Sequence, residues 1–384
     1  MKKIGIITIE QVNNYGAELQ AAATRIILEQ MGNDAEIIDY KYYKNWDFKD
    51  TKMSKPFFSM SIKDKSLYWL KYRFINWSME YVMAKMISKI KRRQLRFKSF
   101  HHENNKISKC YKSMPELYNA KLDYDVYVVG SDQVWNPNAS SNIEPYFLTF
   151  APKNKRKIAY ASSFGISEIK PGIKDRMASL LNNIDEISVR ENEGIKIVKY
   201  LTGRNATHVL DPTLLLDKQE WGKAMKPYPN MPEKYILIYQ LTPADTLPRL
   251  ALHLAKKESL HIYFITKRAY GITKQKGIIN IYDAGPSEFL WLIAHATYVV
   301  TNSFHGLAFT VNFGTPFYFV MNKKEIENSR ITSLLTQVGL MNRIVYNGSK
   351  LDKIPTEAID DETVQNKLSI LRKQSIDFLR HAIG

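Results

Sequence analysis

Short apolar runs alternate with helical faces along most of this chain. Ile4-Gly5-Ile6-Ile7-Thr8-Ile9 has the unbroken β-branched character of a strand covered on both faces. A polar loop from Gln11 to Tyr15 follows. Ala17, Leu19, Ala21, Ala22, Ile26, Ile27 and Met31 then predict one apolar helix face, which Gly32-Asn33 ends. Further strands are predicted at Ala35 to Ile38, Asp125 to Val129, Lys157 to Ala161, Glu186 to Val189 and Thr207 to Leu210. Helices at Ile173 to Leu181 and Glu191 to Tyr200 lie between them. Strands alternating with helices predict a mostly parallel sheet with helices on both faces.

The stretch from Asp217 to Lys234 breaks the alternation: it is polar, holds Pro227, Pro229 and Pro232, and reads as a linker. Beyond it the pattern restarts. Strands are expected at Tyr235 to Tyr239, His261 to Ile265, Ile278 to Tyr282, Tyr298 to Thr301 and Pro316 to Val320. Helices are expected through Leu247 to Lys257, Ser287 to Ala296 and from Phe304, with an amphipathic tail helix from Asp361 to Ile383. The reading is therefore two doubly wound α/β domains in tandem, without internal repeats. Residues 1–216 form the first, 217–234 the linker, 235–355 the second and 356–384 a C-terminal helix. Ligands are expected in the cleft between the domains, at the carboxyl ends of both sheets.

Composition sharpens this. The 384 residues suit two domains of ordinary size, and 45% hydrophobic with 24% charged residues describes a folded chain rather than a disordered one. A single cysteine, Cys110, cannot close an internal bridge, so an oxidising compartment is not required. No signal peptide or membrane-spanning run is read, and the expected location is the cytoplasm. The net charge of +17 is uneven: between Thr51 and Lys109, fifteen Lys and Arg face only Asp64, Glu80 and Glu103. Within that stretch Tyr68, Tyr72, Ile75, Met79, Val82, Met86 and Ile90 mark an apolar face. Lys85, Lys89, Arg92, Arg93 and Arg96 mark a cationic one. A helical insertion at about 56–105 follows. Its plainer reading packs the helix on the first domain with the basic face in water. Its functional reading is peripheral docking on an anionic membrane or on a diphosphate-bearing substrate. No nucleic-acid-binding pattern accompanies the charge, so nucleic acid is not an expected partner.

The loops after the strands carry the candidate chemistry. Asn13-Asn14-Tyr15-Gly16-Ala17 opens a helix after the first strand and suits an anion or a hydroxyl-rich ligand, or else caps the helix. No G-x-G-x-x-G occurs anywhere, which disfavours a nicotinamide-dependent dehydrogenase. Gly130-Ser131-Asp132-Gln133-Val134-Trp135-Asn136 combines a carboxylate, amides and an indole, as a sugar site does, although Trp135 could equally anchor the loop. Ala161-Ser162-Ser163-Phe164-Gly165 would lie beside it. Arg190, ending another strand, could clamp an anion with its planar fork or pair with Glu191 or Glu193. Val300-Thr301-Asn302-Ser303-Phe304-His305-Gly306 is the strongest signal: it places His305 at a helix start, where the dipole favours anions. Asp123-Tyr124-Asp125 is formally a D-x-D, but it precedes its strand and reads as a lead-in. No histidine pair has zinc-ligand spacing, and no metal is expected.

Taken together, six blocks resemble the polysaccharide pyruvyl transferase family. They are the Asn13-Asn14-Tyr15-Gly16-Ala17-x-Leu19-Gln20 core, Tyr124 to Asn136, Ala159 to Gly165, Ser188-Val189-Arg190-Glu191, Val209 to Leu215 and Thr301 to Gly306. They run in order from near residue 4 to about residue 340 and leave out the basic insert and the tail. The resemblance implies a GT-B-like fold of two Rossmann-like domains. It also implies phosphoenolpyruvate as co-substrate, with no cofactor, and a sugar of a cell-surface glycan or its lipid-linked precursor as acceptor.

By motif, the family's histidine falls on His305, and Arg190 is a candidate donor arginine. Asn302, Ser303 and Gly306 accompany them on the donor side. Several members carry an arginine two places before the histidine where this chain has Ser303, so Lys267, Arg268 and Arg330 are candidates for the missing charge. Acceptor contacts are expected from Asn14, Tyr15, Asp132, Gln133, Trp135 and Ser163. His305 would act as general acid and Arg190 as the clamp for carboxylate or phosphate. The alternatives are a GT-B glycosyltransferase using a nucleotide sugar, and a non-catalytic glycan- or nucleic-acid-binding protein.

Overall fold

The computed structural model describes residues 1–41, 63, 66, 88–138, 143–266, 273, 275–322, 329–351, 354–355 and 357–384. The chain divides into two compact units. The first takes its described residues from Met1–Met86, His101–Leu215 and Lys373–Gly384, the second from Ile87–Phe100 and Leu216–Arg372.

In the first unit, β1 (Lys3–Ile7), α1 (Tyr15–Gln30) and β2 (Asp34–Ile37) lead to the long helix α2 (Ser88–Asn104), whose last four residues belong here. Then come α3 (Met114–Tyr118), β3 (Val126–Val129), β4 (Arg156–Ser162), α4 (Lys174–Leu181), β5 (Glu186–Val189), α5 (Asn192–Thr202) and β6 (Thr207–His208). The six strands pair in parallel in the order β2-β1-β3-β4-β5-β6. The order reverses at β1, which has β2 on one side and β3 on the other. In open α/β sheets such a reversal, at the carboxyl ends of the strands, is where ligands bind. The register, Ile7 opposite Val129, puts the loops after β1 and β3 at one level.

The central strands are buried, as their unbroken apolar runs predict: Val126–Val129 and most of β4 are inaccessible. Helix α1 is buried over Tyr15 to Thr24, which is why its sequence is rich in alanine. The predicted strand to Leu210 shortens to Thr207–His208, because an edge strand has a neighbour on one side only.

The second unit runs α6 (Lys218–Gly222), β7 (Tyr235–Gln240), α7 (Thr246–Glu258), β8 (His261–Thr266), β9 (Ile278–Asn280), α8 (Pro286–Ala294), β10 (Tyr298–Thr301), α9 (Phe304–Phe313), β11 (Phe317–Met321), α10 (Ser329–Val338), β12 (Ile344–Tyr346) and α11 (Asp361–Ile383). Its parallel order is β12-β11-β10-β7-β8-β9, with the reversal between β7 and β10. The stretch read as a linker contains the short helix α6, closed by a capping box between Asp217 and Glu220. Strand β12 was not predicted: three residues with one buried side chain carry too little pattern. Helix α11 divides, with residues to Arg372 in the second unit and the remainder in the first.

The basic insert departs from its plainer reading. Residues 42–62, 64–65 and 67–87 lie outside the described residues, and with them Tyr68 to Met86 and Lys85. From Ser88 to Phe100 the helix packs on the second unit, and its basic side is not simply solvated. Arg92 reaches Asp283 at 3.1 Å, and Arg96 reaches Glu288 at 3.2 Å and Asp283 at 3.7 Å. Arg93 is 2% exposed. Asp283 and Glu288 are buried acids on the second unit, and pairing with arginines is how they meet the cost of burial.

Candidate functional site

In the first unit, backbone strain and buried charge gather at the reversal point. Gln11, Asn13, Asp132 and Ala161 all have positive φ, between 51° and 72°, and all lie at or just past the carboxyl ends of β1, β3 and β4. Non-glycine residues held there cost free energy, and such strain clusters where loops are shaped for a ligand. Gln20 holds the first two loops in place. Its amide donates to Thr8 Oγ1 at 2.9 Å, Ala17 O at 3.0 Å and Ile9 O at 3.3 Å, while Thr8 Oγ1 donates to Ser131 O at 3.0 Å.

Arg190 sits at the end of β5 as a buried hub. Its guanidinium donates to Asp211 at 2.7 Å and Asp132 at 3.3 Å, with Glu191 at 3.9 Å. Burial pulls its pKa down, but the three carboxylates outweigh that and raise it. Asp211 is fixed in turn by Ser131 Oγ at 2.8 Å and Thr213 Oγ1 at 2.7 Å. Glu191 accepts from Phe164 N at 3.0 Å. With its side chain 1% exposed and three carboxylates around it, this guanidinium ties the loops after β3 and β6, through Asp132 and Asp211, to the end of β5, and the expected pairing with Glu191 is present at 3.9 Å. Nothing in the Val209 to Leu215 block marks Asp211 as the partner of Arg190, twenty-one positions away.

The expected acceptor residues divide. Asn14 caps α1, accepting from Gly16 N at 3.2 Å, and is partly exposed. Asp132 and Gln133 are partly exposed at the same edge. Gln133 lies under the Gly165 backbone, where φ is +64° and an added Cβ would meet the Gln133 amide carbon at 2.5 Å. Tyr15 and Ser163 are fully buried, and so is Trp135. Trp135 stacks on Phe147 at 5.3 Å and donates Nε1 to Tyr146 O at 2.8 Å. It is the loop anchor of the alternative reading, and no face of its ring is open to a sugar.

A neighbouring cluster escaped the sequence reading. Glu10, Glu18, Asp39, Lys41 and His101 are all buried around Gln11. His101 Nδ1 lies 3.2 Å from Glu18 and 3.9 Å from Glu10, and Gln11 Nε2 approaches Glu10, Asp39 and His101. Burial, then Glu18 and Asp39, push the Glu10 carboxyl well above its ordinary range, against the opposing pull of Lys41 and Gln11. Nothing local marks His101, which is separated from Glu10 by ninety-one positions.

In the second unit, polar residues gather around the end of β10. Thr301 Oγ1 donates to Tyr239 O at 2.8 Å and accepts from Ser303 N at 3.1 Å. Asn302 bridges to the loop after β7, accepting from Leu241 N at 2.8 Å and donating to Thr242 O at 2.7 Å. These bonds tie together the ends of the two strands that flank the reversal. Ser303 caps α9, accepting from Gly306 N at 3.4 Å, and is hydrogen-bonded to the Tyr239 phenol. Burial pushes that phenol up to about 12, with Arg93 and Ser303 pulling it down. Gly306 is required by close packing, because a Cβ there would lie 2.5 Å from Thr301 Oγ1 and 2.9 Å from Tyr239 Cδ1. His305 thus enters the first turn of α9, 8% exposed and edge-on to Phe304 at 5.3 Å. Arg330 lies in the first turn of α10 and is partly buried, while Lys267 and Arg268 fall outside the described residues. Among the described residues, no three His, Cys, Asp or Glu side chains are grouped to hold a metal ion.

Two parallel six-stranded sheets, each reversing direction once and each carrying polar residues at its reversal point, define a GT-B-like α/β protein of two Rossmann-like units. A UDP-N-acetylglucosamine 2-epimerase from Rickettsia bellii shares this fold, with a TM-score of 0.56 at 10% identity over 100% of this chain and 97% of that one. A UDP-GlcNAc 2-epimerase from Methanocaldococcus jannaschii gives 0.46 at 11% identity over 97% and 93%. No curated protein sequence matches the chain. Residues 14–324 match the model of the polysaccharide pyruvyl transferase family, and the chain belongs to that family.

Proposed function

We propose that this protein transfers the enolpyruvyl group of phosphoenolpyruvate to two hydroxyls of one sugar, in a cell-surface polysaccharide or its lipid-linked precursor. A pyruvate ketal forms and phosphate leaves. The observation that carries the reading is His305 in the first turn of α9, at the reversal point of the second sheet, in a chain of this family.

The chemistry asks for one proton, positive charge and two oriented hydroxyls. His305 donates a proton to the methylene carbon of the donor, which becomes a methyl group and leaves C2 with oxocarbenium character. One sugar hydroxyl adds to C2 and gives up its proton. The C–O bond to phosphate then breaks as the second hydroxyl adds, and that proton leaves with phosphate or solvent. The α9 amide groups stabilise the anionic donor. Asn14, Asp132 and Gln133 orient the acceptor on the first unit, and Arg190 holds the loop that carries Asp132 and Gln133.

Phosphate release from phosphoenolpyruvate in the presence of candidate glycan acceptors tests the reaction, with nucleotide release from a panel of nucleotide sugars as its counterpart. His305→Ala should slow the pyruvyl reaction by about 10² or more. An unaltered rate removes His305 as the acid. Nucleotide release without phosphate release replaces the reaction with glycosyl transfer.

A further inference from the structure

Helix α2 brings an arginine to the carboxyl edge of the second sheet. Its neighbours explain themselves as anchors: Arg92 and Arg96 bind Asp283 and Glu288, Arg96 lies 5.8 Å over the Tyr228 ring, and Lys89 lies 5.5 Å over Tyr282. Arg93 points elsewhere. It is 2% exposed, its guanidinium lies 5.3 Å from the Phe97 ring, and NH1 donates to Thr266 O at 3.1 Å. Thr266 ends β8 directly across from Gln240, and the preceding residue, Tyr239, pairs with Thr301 on β10. Strand spacing then puts Thr266, to which Arg93 donates, about 10 Å from the end of β10, where Ser303 and the α9 amides lie. At this edge the Arg93 charge pulls the Tyr239 phenol down against the upward push of burial.

We propose that Arg93 is a positioning residue for the donor. Its buried positive charge sets the affinity of the α9 site for the carboxylate and phosphate of phosphoenolpyruvate, acting across Tyr239 and Ser303. The physical reason is the low dielectric around it: a cation held in the interior is screened far less than one in water, and its field adds to that of the α9 amides. Placing an arginine in the interior also costs desolvation, which the hydrogen bond to Thr266 O and the Phe97 face offset in part. The anchors on either side of Arg93 hold the helix so that this position is maintained. The inference rests on the donor reading above.

Calorimetric titration of the full-length protein with phosphoenolpyruvate, and separately with UDP, tests it alongside phosphate-release kinetics. Arg93→Met should weaken phosphoenolpyruvate binding about tenfold or more, raising KM for the donor more than it lowers kcat. Arg93→Lys should restore most of the affinity, because it keeps the charge. Lys91→Met, two positions away on the same helix, equal in charge and exposed, should leave donor affinity unchanged. Should Arg93→Met not fold, Arg93→Gln makes the same comparison.

Wild-type affinity in the neutral variants overturns the proposal, and so does a lysine variant as weak as the methionine one. Wild-type protein that binds UDP but not phosphoenolpyruvate overturns the donor reading alone. In that case a tenfold loss of UDP affinity in Arg93→Met still supports Arg93 as the charge of the site. Binding of neither anion overturns both.

Discussion

Glu10 shows what a buried acid does to the molecule that holds it. Its carboxyl is 3% exposed, lies beside Glu18 and Asp39, and has an oxygen, Oε2, with no hydrogen-bond partner among the described residues. The folded state therefore binds this proton more tightly than the unfolded chain, where the carboxyl has its ordinary value of 4.5. The associated stability is present in full below that value and is lost as pH rises through the folded pKa. Glu10→Gln removes the ionisation. Its melting temperature relative to wild type should thus climb as pH rises above 4.5, measured by thermal unfolding in matched buffers. A constant difference across that range contradicts the assignment. At the same scale, the role of Arg190 changed once its partners were known. The fork that suits a phosphate equally suits Asp211, and only coordinates show which of the two it holds.

Helix α2 is the element whose meaning changed most. Its charge pattern was plain in the sequence, yet the acids that receive it, Asp283 and Glu288, lie nearly two hundred positions away. A solvated basic face and a face docked on remote carboxylates look the same in one dimension. Asp283 is the central anchor, accepting from Tyr228 Oη at 2.6 Å and from Arg92 at 3.1 Å. Asp283→Ala should destabilise the protein by about 1–3 kcal/mol, discounted because Arg92 is half exposed. Urea unfolding measures this, and a midpoint equal to that of wild type argues against the docking of α2 on the second unit. Helix α9 was far more legible, because its signals are local: Ser303 caps it, Gly306 packs it against β7 and β10, and both flank His305.

Across the whole molecule, the C-terminal helix serves as part of both units rather than as an appendage. Leu368 and Leu379 are buried on it while Ile370 stands 60% exposed, and Ser375 Oγ accepts from the buried Leu210 N at 3.0 Å. Leu379→Ala should cost about 2–5 kcal/mol by denaturant unfolding, and Ile370→Ala close to nothing. Equal effects at the two positions would show that the helix does not pack as described. No described helix is long and apolar enough to cross a membrane.

The alternation of strand and helix, the parallel sheets and the polar loops after the strands were set by the chain on its own. Apolar periodicity, capping residues and glycine act within a few positions of one another. Tertiary structure alone decided that Trp135 is an anchor, that Arg190 is enclosed by Asp132, Glu191 and Asp211, that His101 joins Glu10 and Glu18, and that Arg93 reaches the edge of the second sheet. Each of those outcomes is a pairing between distant positions. Burial and electrostatics depend on distance through space, and a linear pattern does not contain that distance.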